Sequence, residues 1–397
     1  MPSVVFRRGL DLKDAVAADL AAAYHSRIVD EIRESGFTRV TGRLTIHLAR
    51  EFGFCYGVDR AVDYAYQTRK RFPDKRVFLT GEIIHNPHVN DRLRAQQIRF
   101  LSDAAERDTV LGPDDVVILP AFGVSVGELA RLSREGCTLV DTTCGSVLNV
   151  WKNVRRYAQD GFTSIIHGKA DHEETRATAS QATDFPSGHF LIVRDEAEAD
   201  LVCQFIRHGG DGGPLLAHFG GSLSPHFDPA RHLARVGCAN QTTMLMSESL
   251  RIGEMFREAM RDRYGEAELA ARFRAFDTIC SATQERQDAV IGLLGEHALG
   301  LMVVIGGYNS SNTCNLARIC AERVPTFHIA DPACLVSDLE IRHRPIGAPS
   351  TAAVSEVVTR QWLPAGPVGL GLTAGASTPN NIVGQVIERL SAWGTPG

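Results

Sequence analysis

One pattern occurs three times along the chain and limits its fold more than any other feature does. In each copy, a cysteine precedes an amphipathic helix, a short apolar strand follows, and the strand ends in a glycine and a polar cluster. The cysteines and glycines, which are 26, 24 and 26 residues apart, are Cys55 with Gly81, Cys144 with Gly168, and Cys280 with Gly306. Three such copies predict an α/β fold of three related domains, with parallel sheets covered by helices.

The copies also predict where the elements and domains begin and end. Strands are expected at 77–79, 164–167 and 301–305, and a strand through Asp277, Thr278 and Ile279 is expected before Cys280. The predicted division is a helical N-terminal extension over 1–43, α/β domains over 44–144, 145–279 and 280–376, and a C-terminal segment over 377–397. A segment over 204–237 carries seven glycines and four histidines. A metal site is conceivable there, but an inserted surface loop is the favoured interpretation.

The three cysteines occupy equivalent positions, so we expect their thiolates to converge on one point in a pseudo-threefold arrangement of the domains. Thiolates suit iron-sulfur clusters and zinc. A central 4Fe-4S cluster with three cysteine ligands would leave one iron open for substrate. Zinc with three cysteines and a water is the competing interpretation, and a buried inert thiol is the simplest one for any single cysteine. The other six cysteines are expected in the core, namely Cys137, Cys203, Cys238, Cys314, Cys320 and Cys334.

The polar residues after the three glycines are donors that a small anionic substrate would need. His85, His172, Ser310 and Asn312 stand beside backbone amides at expected helix N-termini, which suits a diphosphate. Taken one at a time, such residues are more often helix caps or turn residues.

Candidate proton donors and a further phosphate turn complete the predicted site. Glu174 is the carboxylate that could supply protons, although a solvated acid at a helix N-terminus is the alternative. Thr242 could extend a proton path, and the glycine turn that holds Ser377 suits close approach of backbone to phosphate.

Charge and composition exclude several classes of partner. The net charge of −5 gives no overall basic field for nucleic acid. No apolar run approaches the roughly 20 residues that cross a bilayer, so we expect a soluble protein with no membrane partner. Nine cysteines, an odd number, without a recognisable secretory signal favour a reducing compartment, and therefore the cytoplasm. The absence of a CxxC pair argues against zinc ribbons and thioredoxin-like redox sites.

With these motifs in place, the chain from about residue 43 to 390 resembles the 4-hydroxy-3-methylbut-2-enyl diphosphate reductases of the non-mevalonate isoprenoid pathway. The motifs that carry the resemblance are GFCYGVDRA at Cys55, EIIHNPHV at His85, DTTC at Cys144, HEET at Glu174, NQTT at Thr242, DTIC and ATQERQ around Cys280, NSSN at Ser310 and TAGAST at Ser377. The resemblance implies three α/β domains around one oxygen-sensitive 4Fe-4S cluster with Cys55, Cys144 and Cys280 as ligands.

The resemblance also implies a role for each site residue. The diphosphate pocket would consist of His85, His172, Ser310, Ser311, Asn312 and Ser377. Glu174 and Thr242 match the proton-delivery residues, Thr242 with a substrate contact as well, and Thr283 matches a further residue near the substrate. The implied reaction is reductive removal of the allylic hydroxyl, which gives isopentenyl and dimethylallyl diphosphates, with electrons from ferredoxin or flavodoxin.

One position departs from the family pattern. Phe122 stands where many members place a histidine near the substrate, and together with the N-terminal extension it resembles the longer cyanobacterial and plant-type branch. Three other interpretations remain: a quinolinate-synthase-like 4Fe-4S enzyme acting as a Lewis acid, a non-catalytic iron-sulfur redox sensor, and a zinc-binding structural protein.

Overall fold

The computed structural model describes residues 4–276, 280–348 and 355–394. The chain divides into two compact units. Unit 1 consists of Met1–Val5 and Asp108–Cys280, and unit 2 consists of Phe6–Arg107 and Ser281–Gly397. The division into three domains stays a prediction, and the predicted strand through Asp277, Thr278 and Ile279 lies outside the described residues.

Helices and strands alternate along most of the chain. The α-helices are α1 (Lys13–Tyr24), α2 (Arg27–Glu34), α3 (Tyr56–Arg71), α4 (Pro87–Ala95), α5 (Val126–Glu135), α6 (Gly145–Gln159), α7 (Glu173–Thr183), α8 (Glu196–His208), α9 (Gly213–Phe219), α10 (Pro229–His232), α11 (Met246–Tyr264), α12 (Glu266–Arg272), α13 (Ser281–Glu296), α14 (Ser311–Ala321) and α15 (Asn380–Gly394). Short 3-10 helices cover Ala104–Glu106, Gly220–Ser222 and Pro332–Cys334.

The strands are mostly short and buried. They are β1 (Val5–Phe6), β2 (Thr38–Thr41), β3 (Leu44–Leu48), β4 (Val77–Leu79), β5 (Ile98–Phe100), β6 (Val116–Leu119), β7 (Thr138–Asp141), β8 (Thr163–His167), β9 (Phe190–Val193), β10 (Val236–Asn240), β11 (Phe273–Ala275), β12 (Leu301–Ile305), β13 (Thr326–Ile329), β14 (Glu340–His343), β15 (Val357–Arg360) and β16 (Val368–Ala374). The strands predicted after the three cysteine helices are present as β4, β8 and β12.

Unit 1 contains a parallel sheet in the order β9-β8-β10-β11, and β6 pairs with β7 in parallel. All five residues of β8 and of β10 are buried, as expected for strands covered on both faces. Gly237 of β10 lies against α6, where a Cβ atom would come within 2.7 Å of the Tyr157 ring. The Tyr157 hydroxyl donates to the Cys238 carbonyl at 2.9 Å, which fixes the helix on the sheet.

Unit 2 contains a sheet in the order β13-β12-β16-β3-β2. Its first four strands are parallel, and β2 joins the edge antiparallel to β3. The strands β4 and β5 pair in parallel, and β14 and β15 form an antiparallel pair. The apolar side chains of β3, β12 and β16 pack with those of α15 in one core cluster. The predicted α/β class with parallel sheets is confirmed.

The three copies of the cysteine pattern connect different sheets, which differs from the expected β-α-β unit within one sheet. The strands on the two sides of each cysteine helix, β3 and β4, β7 and β8, β11 and β12, do not belong to the same sheet. The β-α-β units begin one step later, because β4-α4-β5, β8-α7-β9 and β12-α14-β13 each join adjacent parallel strands. Sequence periodicity identifies a strand but not the strand with which it pairs.

The segment 204–237 is a folded part of unit 1, and the predicted surface loop is wrong. It contains the end of α8 and all of α9 and α10. Leu215, Phe219, Phe227 and Leu233 are buried in one apolar cluster with side chains of α8 and α11. Glycines suggested a loop, but these four apolar side chains bury enough surface to hold the segment in place.

Among the described residues, no helix is both long and apolar enough to span a bilayer.

Candidate active site

In unit 1, a carboxylate and a threonine from two neighbouring strand ends are held together. Glu174 is the second residue of α7, and Thr242 lies two residues after the end of β10. The Thr242 amide donates to Glu174 Oε1 at 2.6 Å, and the Thr242 hydroxyl donates to Oε2 at 3.0 Å. The Glu174 side chain is 1% exposed. Both carboxylate oxygens are therefore fixed by one residue, in a position from which little water can replace it.

Gln241 forms hydrogen bonds with the residues that surround this pair. Its Oε1 accepts hydrogen bonds from the Lys169 amide at 3.2 Å and the Thr175 hydroxyl at 3.1 Å. Its Nε2 donates to the Thr243 hydroxyl at 2.8 Å. These bonds tie the turn after β8 to the turn after β10, so that Glu174 and Thr242 keep their separation.

His172 caps the same helix and packs against Phe122. Its Nδ1 accepts a hydrogen bond from the Glu174 amide at 3.1 Å, so the neutral ring carries its hydrogen on Nε2. The Phe122 ring packs edge-on against the His172 ring, with centroids 5.6 Å apart. Phe122 thus covers part of the His172 ring and restricts the orientation of that ring.

In unit 2, the equivalent helix carries an amide instead of a carboxylate. Asn312 is the second residue of α14, and Ala376 lies two residues after the end of β16. The Ala376 amide donates to Asn312 Oδ1 at 2.9 Å. Asn312 is buried, and its Nδ2 has no hydrogen-bond partner among the residues that the structure describes. A buried donor without an acceptor is costly, which indicates that a ligand oxygen belongs there.

The first turn of α14 adds further donors. The Ser310 hydroxyl caps this helix, because it accepts from the Thr313 amide at 3.3 Å. Ser311 is buried in the same turn. Backbone amides at a helix N-terminus favour negative charge, so Ser310, Ser311 and Asn312 form a site suited to phosphate oxygens.

His85 lies beside this turn in a hydrogen-bonded group. Its Nδ1 lies 2.8 Å from Glu82 Oε2, and Asn309 Nδ2 donates to the same carboxylate oxygen at 3.0 Å. The Ser377 hydroxyl donates to the His85 carbonyl at 3.1 Å. A Cβ atom on Gly307 would come within 2.5 Å of that carbonyl, so glycine is required for this approach. The structure therefore brings His85 and Ser377 together with the turn that contains Asn309.

Cys55 is the N-cap residue of α3 and is half-buried. Its amide donates to the Ala376 carbonyl at 3.2 Å, which places it at the end of β16. The buried guanidinium of Arg286 donates to the Gly53 carbonyl at 2.9 Å and to the Phe54 carbonyl at 3.2 Å. Arg286 thus holds the loop that leads into Cys55.

Cys144 and Cys280 lie in unit 1 and also precede helices. Cys144 is the N-cap residue of α6, and its amide donates to the Ala121 carbonyl at 3.0 Å. Cys280 directly precedes α13, and its amide donates to the Thr242 carbonyl at 3.4 Å. Both thiols are half-buried and form no disulfide, like that of Cys55. Cysteine sulfur is the ligand that iron-sulfur clusters and zinc prefer, so these three residues fit the donor set of such a metal centre.

The remaining cysteines have different surroundings. Burial raises the pKa of Cys203 and of Cys320 to about 12, and it also raises the pKa of Cys137, Cys238 and Cys334. A thiol that resists ionisation is a poor metal ligand. Cys314 is half-buried beside an arginine, so the prediction that all six lie in the core is wrong for Cys314.

Thr283 is buried in the first turn of α13, three residues after Cys280. Its predicted substrate contact stays a prediction. Sequence reasoning missed the supporting residues Glu82, Asn309, Gln241 and Arg286. Each lies inside or beside a recognised motif, but only the tertiary contacts give it a role.

These features define the class of protein: a parallel α/β protein with a buried carboxylate at one strand end, a turn rich in hydrogen-bond donors at another, and three half-buried cysteines at helix N-termini. The family model described as LytB protein matches residues 46–391. The chain belongs to the LytB protein family.

Curated relatives extend over nearly the whole chain. A 4-hydroxy-3-methylbut-2-enyl diphosphate reductase of Gloeobacter violaceus is 50% identical over 97% of this chain and 91% of its own length. Reductases of the same name from a Synechococcus strain and a Nostoc strain are each 47% identical over 97% of this chain, and this covers 95% and 94% of their lengths.

Two solved structures have a similar fold. A structure of (E)-4-hydroxy-3-methyl-but-2-enyl diphosphate reductase, the terminal enzyme of the non-mevalonate pathway, is 27% identical, with a TM-score of 0.50 over 87% of this chain and 99% of that one. The E-1-hydroxy-2-methyl-but-2-enyl-4-diphosphate reductase of Plasmodium falciparum has a TM-score of 0.60 over 88% of both chains. Its 20% identity supports the fold alone.

Proposed function

We propose that this chain is a 4-hydroxy-3-methylbut-2-enyl diphosphate reductase of the non-mevalonate isoprenoid pathway. The products would be isopentenyl and dimethylallyl diphosphates. The observation that carries the proposal is the 50% identity, over 97% of the chain, with a curated reductase of that name. The two strand-end sites have the chemistry that this reaction needs.

The diphosphate would bind in the turn of unit 2. The buried Asn312 Nδ2, which lacks a partner among the described residues, would donate to a phosphate oxygen. The Ser310 and Ser311 hydroxyls and amides would supply further donors, and His85 and Ser377 border the same turn. In unit 1, His172 would contribute its Nε2 hydrogen. Neutral donors and one helix N-terminus suit a diphosphate without requiring a lysine or arginine.

Glu174 and Thr242 would deliver protons. The reaction adds two electrons and two protons, breaks the bond between carbon and the hydroxyl oxygen, forms one carbon–hydrogen bond and releases water. The Thr242 hydroxyl donates to Glu174 Oε2 in the structure. With a proton on Oε2 this bond would reverse, so that the hydroxyl accepts that proton while it donates its own, and the pair would act as a short relay. Burial of Glu174 keeps bulk water from competing with this path.

Cys55, Cys144 and Cys280 would hold one 4Fe-4S cluster with one iron that has no protein ligand, and Thr283 would lie near the substrate. The cluster would supply the electrons of the reduction, one at a time, from a ferredoxin or flavodoxin. The protein would work in a reducing compartment, which we propose is the cytoplasm.

An anaerobic activity assay with metal and sulfide analysis tests the function. Protein purified without oxygen should be brown and contain iron and acid-labile sulfide. With reduced viologen and the hydroxylated diphosphate, it should yield both five-carbon products. Colourless protein with stoichiometric zinc would contradict the cluster, and iron-sulfur protein without turnover would favour a redox sensor. Condensation activity without reduction would favour the quinolinate-synthase-like alternative.

A further inference from the structure

Arg286 of unit 2 is a buried arginine that binds the residue directly before Cys55. It belongs to α13 and is 3% exposed. Its Nη2 donates to the Phe54 carbonyl at 3.2 Å, and its Nη2 and Nε donate to the Gly53 carbonyl at 2.9 and 3.3 Å. Its Nη1 donates to the Ala282 carbonyl at 2.7 Å. The guanidinium therefore lies against the backbone that leads into a candidate ligand of the metal centre.

The positive charge of this guanidinium is not neutralised by a carboxylate. All its acceptors are backbone carbonyls, and no acidic side chain in the described part of the chain forms an ion pair with it. The charged residues nearest to Cys55 along the chain are Glu51 and Asp59, and both are exposed. On α13, Glu285 and Asp288 are exposed as well. Water and salt screen these four carboxylates, whereas a buried guanidinium is screened much less.

The loop at Cys55 is also held from the side of β16. The Gly53 amide donates to the Ala374 carbonyl at 3.3 Å, and the Cys55 amide donates to the Ala376 carbonyl at 3.2 Å. Gly53 has a φ of +75°, which glycine adopts without strain. These bonds do not involve Arg286, so we expect the loop to keep its place when the guanidinium is replaced. What Arg286 adds at this position is a fixed positive charge.

We propose that Arg286 is a positioning residue that raises the reduction potential of an iron-sulfur cluster at Cys55. This inference rests on the proposed function, in which Cys55 is a cluster ligand and a ferredoxin or flavodoxin supplies the electrons. Each electron that the donor loses and the cluster gains adds one negative charge to the site. A fixed positive charge beside a ligand stabilises the reduced cluster more than the oxidised one, and burial of that charge strengthens the effect.

The first test measures the potential and needs no turnover. Wild-type protein and Arg286→Gln, both purified without oxygen, are titrated with dithionite in the presence of redox dyes, and the reduced cluster is followed by electron paramagnetic resonance. The glutamine amide can still donate to a carbonyl but carries no charge. The cluster of the variant should be at least about tenfold harder to reduce, which corresponds to a potential about 59 mV lower. The same potential in both proteins would overturn the proposal.

A charged variant separates the charge from the hydrogen bonds. Arg286→Lys keeps a positive charge but loses the planar group that binds several carbonyls at once. Its reduction equilibrium should stay within about threefold of that of wild type. A tenfold change in Arg286→Lys would show that the hydrogen bonds, and not the charge, set the potential. If Arg286→Gln does not fold or does not keep its cluster, Arg286→Lys still decides, because the proposal requires its potential to stay near that of wild type.

Arg344 offers a matched control in the same unit. It is 2% exposed and donates to the Ala348 carbonyl and to Cys314 Sγ, so it too is a buried arginine with neutral acceptors. Its amide donates to the carbonyl of His328 on β13, and β12 separates β13 from β16. Arg344→Gln should therefore change the reduction equilibrium by less than about twofold. A shift as large as that of Arg286→Gln would mean that loss of any buried arginine lowers the potential, and it would overturn the proposal.

Metal and sulfide analysis of the same samples distinguishes a failure of this inference from a failure of the proposed function. Wild-type protein with zinc in place of iron and sulfide would contradict the proposed function, on which the inference depends. Wild-type protein with a cluster and reductase activity, but with the same potential as Arg286→Gln, would leave the proposed function intact and overturn only the role of Arg286.

Discussion

The strands β9-β8-β10 in unit 1 and β13-β12-β16 in unit 2 have the same order, and in each a helix connects the central strand to the first. The fourth strands differ, because β11 follows β10 along the chain whereas β3 precedes β12. In both, a side chain from the second residue of the crossover helix accepts a hydrogen bond from an amide two residues beyond the third strand. The bond joins Glu174 and Thr242 at 2.6 Å in unit 1, and Asn312 and Ala376 at 2.9 Å in unit 2. The two regions therefore share this arrangement, but one has a carboxylate and a threonine where the other has an amide and an alanine.

The difference between Glu174 and Asn312 predicts a different chemical role for each region. A carboxylate at this position uses its second oxygen to bind the Thr242 hydroxyl, which gives an acid held in place. The amide of Asn312 keeps its oxygen on the Ala376 amide, and its NH2 group has no partner among the described residues, since Ala376 offers no hydroxyl. We propose that this NH2 group binds the diphosphate. One region is thus suited to proton supply and the other to anion binding.

The largest expected effect comes from making unit 1 like unit 2. Glu174→Gln should lower kcat by about a thousandfold, because the amide oxygen keeps the bond to the Thr242 amide but no acid remains. Iron content and KM should stay close to those of wild type, which steady-state kinetics and metal analysis would check. Full activity would show that Glu174 is not the proton donor.

The reverse exchange should affect binding. Asn312→Asp keeps an oxygen for the Ala376 amide but places a negative charge against the diphosphate, so KM should rise about a hundredfold. Asn312→Ala, which loses the donor without adding charge, is the control and should raise KM by about tenfold. A KM for Asn312→Asp equal to that of Asn312→Ala would argue against a phosphate at this position.

Removal of the Thr242 hydroxyl, which has no counterpart at Ala376 in unit 2, should have a smaller effect on kcat than Glu174→Gln. Thr242→Val keeps the backbone bond to Glu174 but removes the relay, so kcat should fall by about tenfold, while Thr242→Ser should restore most of it. The measurement is kcat at saturating diphosphate. Equal rates for the valine and serine variants would exclude a role for the hydroxyl.

The smallest effect concerns stability and involves two buried histidines, one on a strand of each region. Burial lowers the pKa of His167 to about 4 and that of His328 to about 3, so the unfolded chain binds protons first as pH falls below about 6.5. Each histidine should therefore lower the free energy of unfolding by about 1 kcal/mol when the pH falls from 7.5 to 6.

Urea denaturation at the two pH values checks this prediction. The two histidines together lower the free energy of unfolding between pH 7.5 and pH 6. His167→Asn in unit 1 and His328→Asn in unit 2 should each remove about half of that decrease. A variant with the same pH dependence as wild type would show that its histidine is protonated in the folded state.

Much of the fold and several candidate site residues could be predicted from local patterns in the sequence. The strands at 77–79 and 301–305 have the predicted bounds because a buried apolar run that is followed closely by a glycine is a strong signal. The residues His85, Glu174 and Asn312 were identified because they follow strand ends. Gln241 and Arg286 were not, since a glutamine or an arginine in a helix or turn is ordinary until its partners are known.

The sequence by itself determined the α/β class, the three equivalent cysteines and the polar residues at strand ends, because these depend on spacing along the chain. Tertiary structure decided that the cysteine helices connect strands of different sheets, that segment 204–237 packs into a core, and that the buried Asn312 Nδ2 has no partner among the described residues. Strand pairing, burial and hydrogen-bond satisfaction are relations between distant residues, and no local pattern contains them.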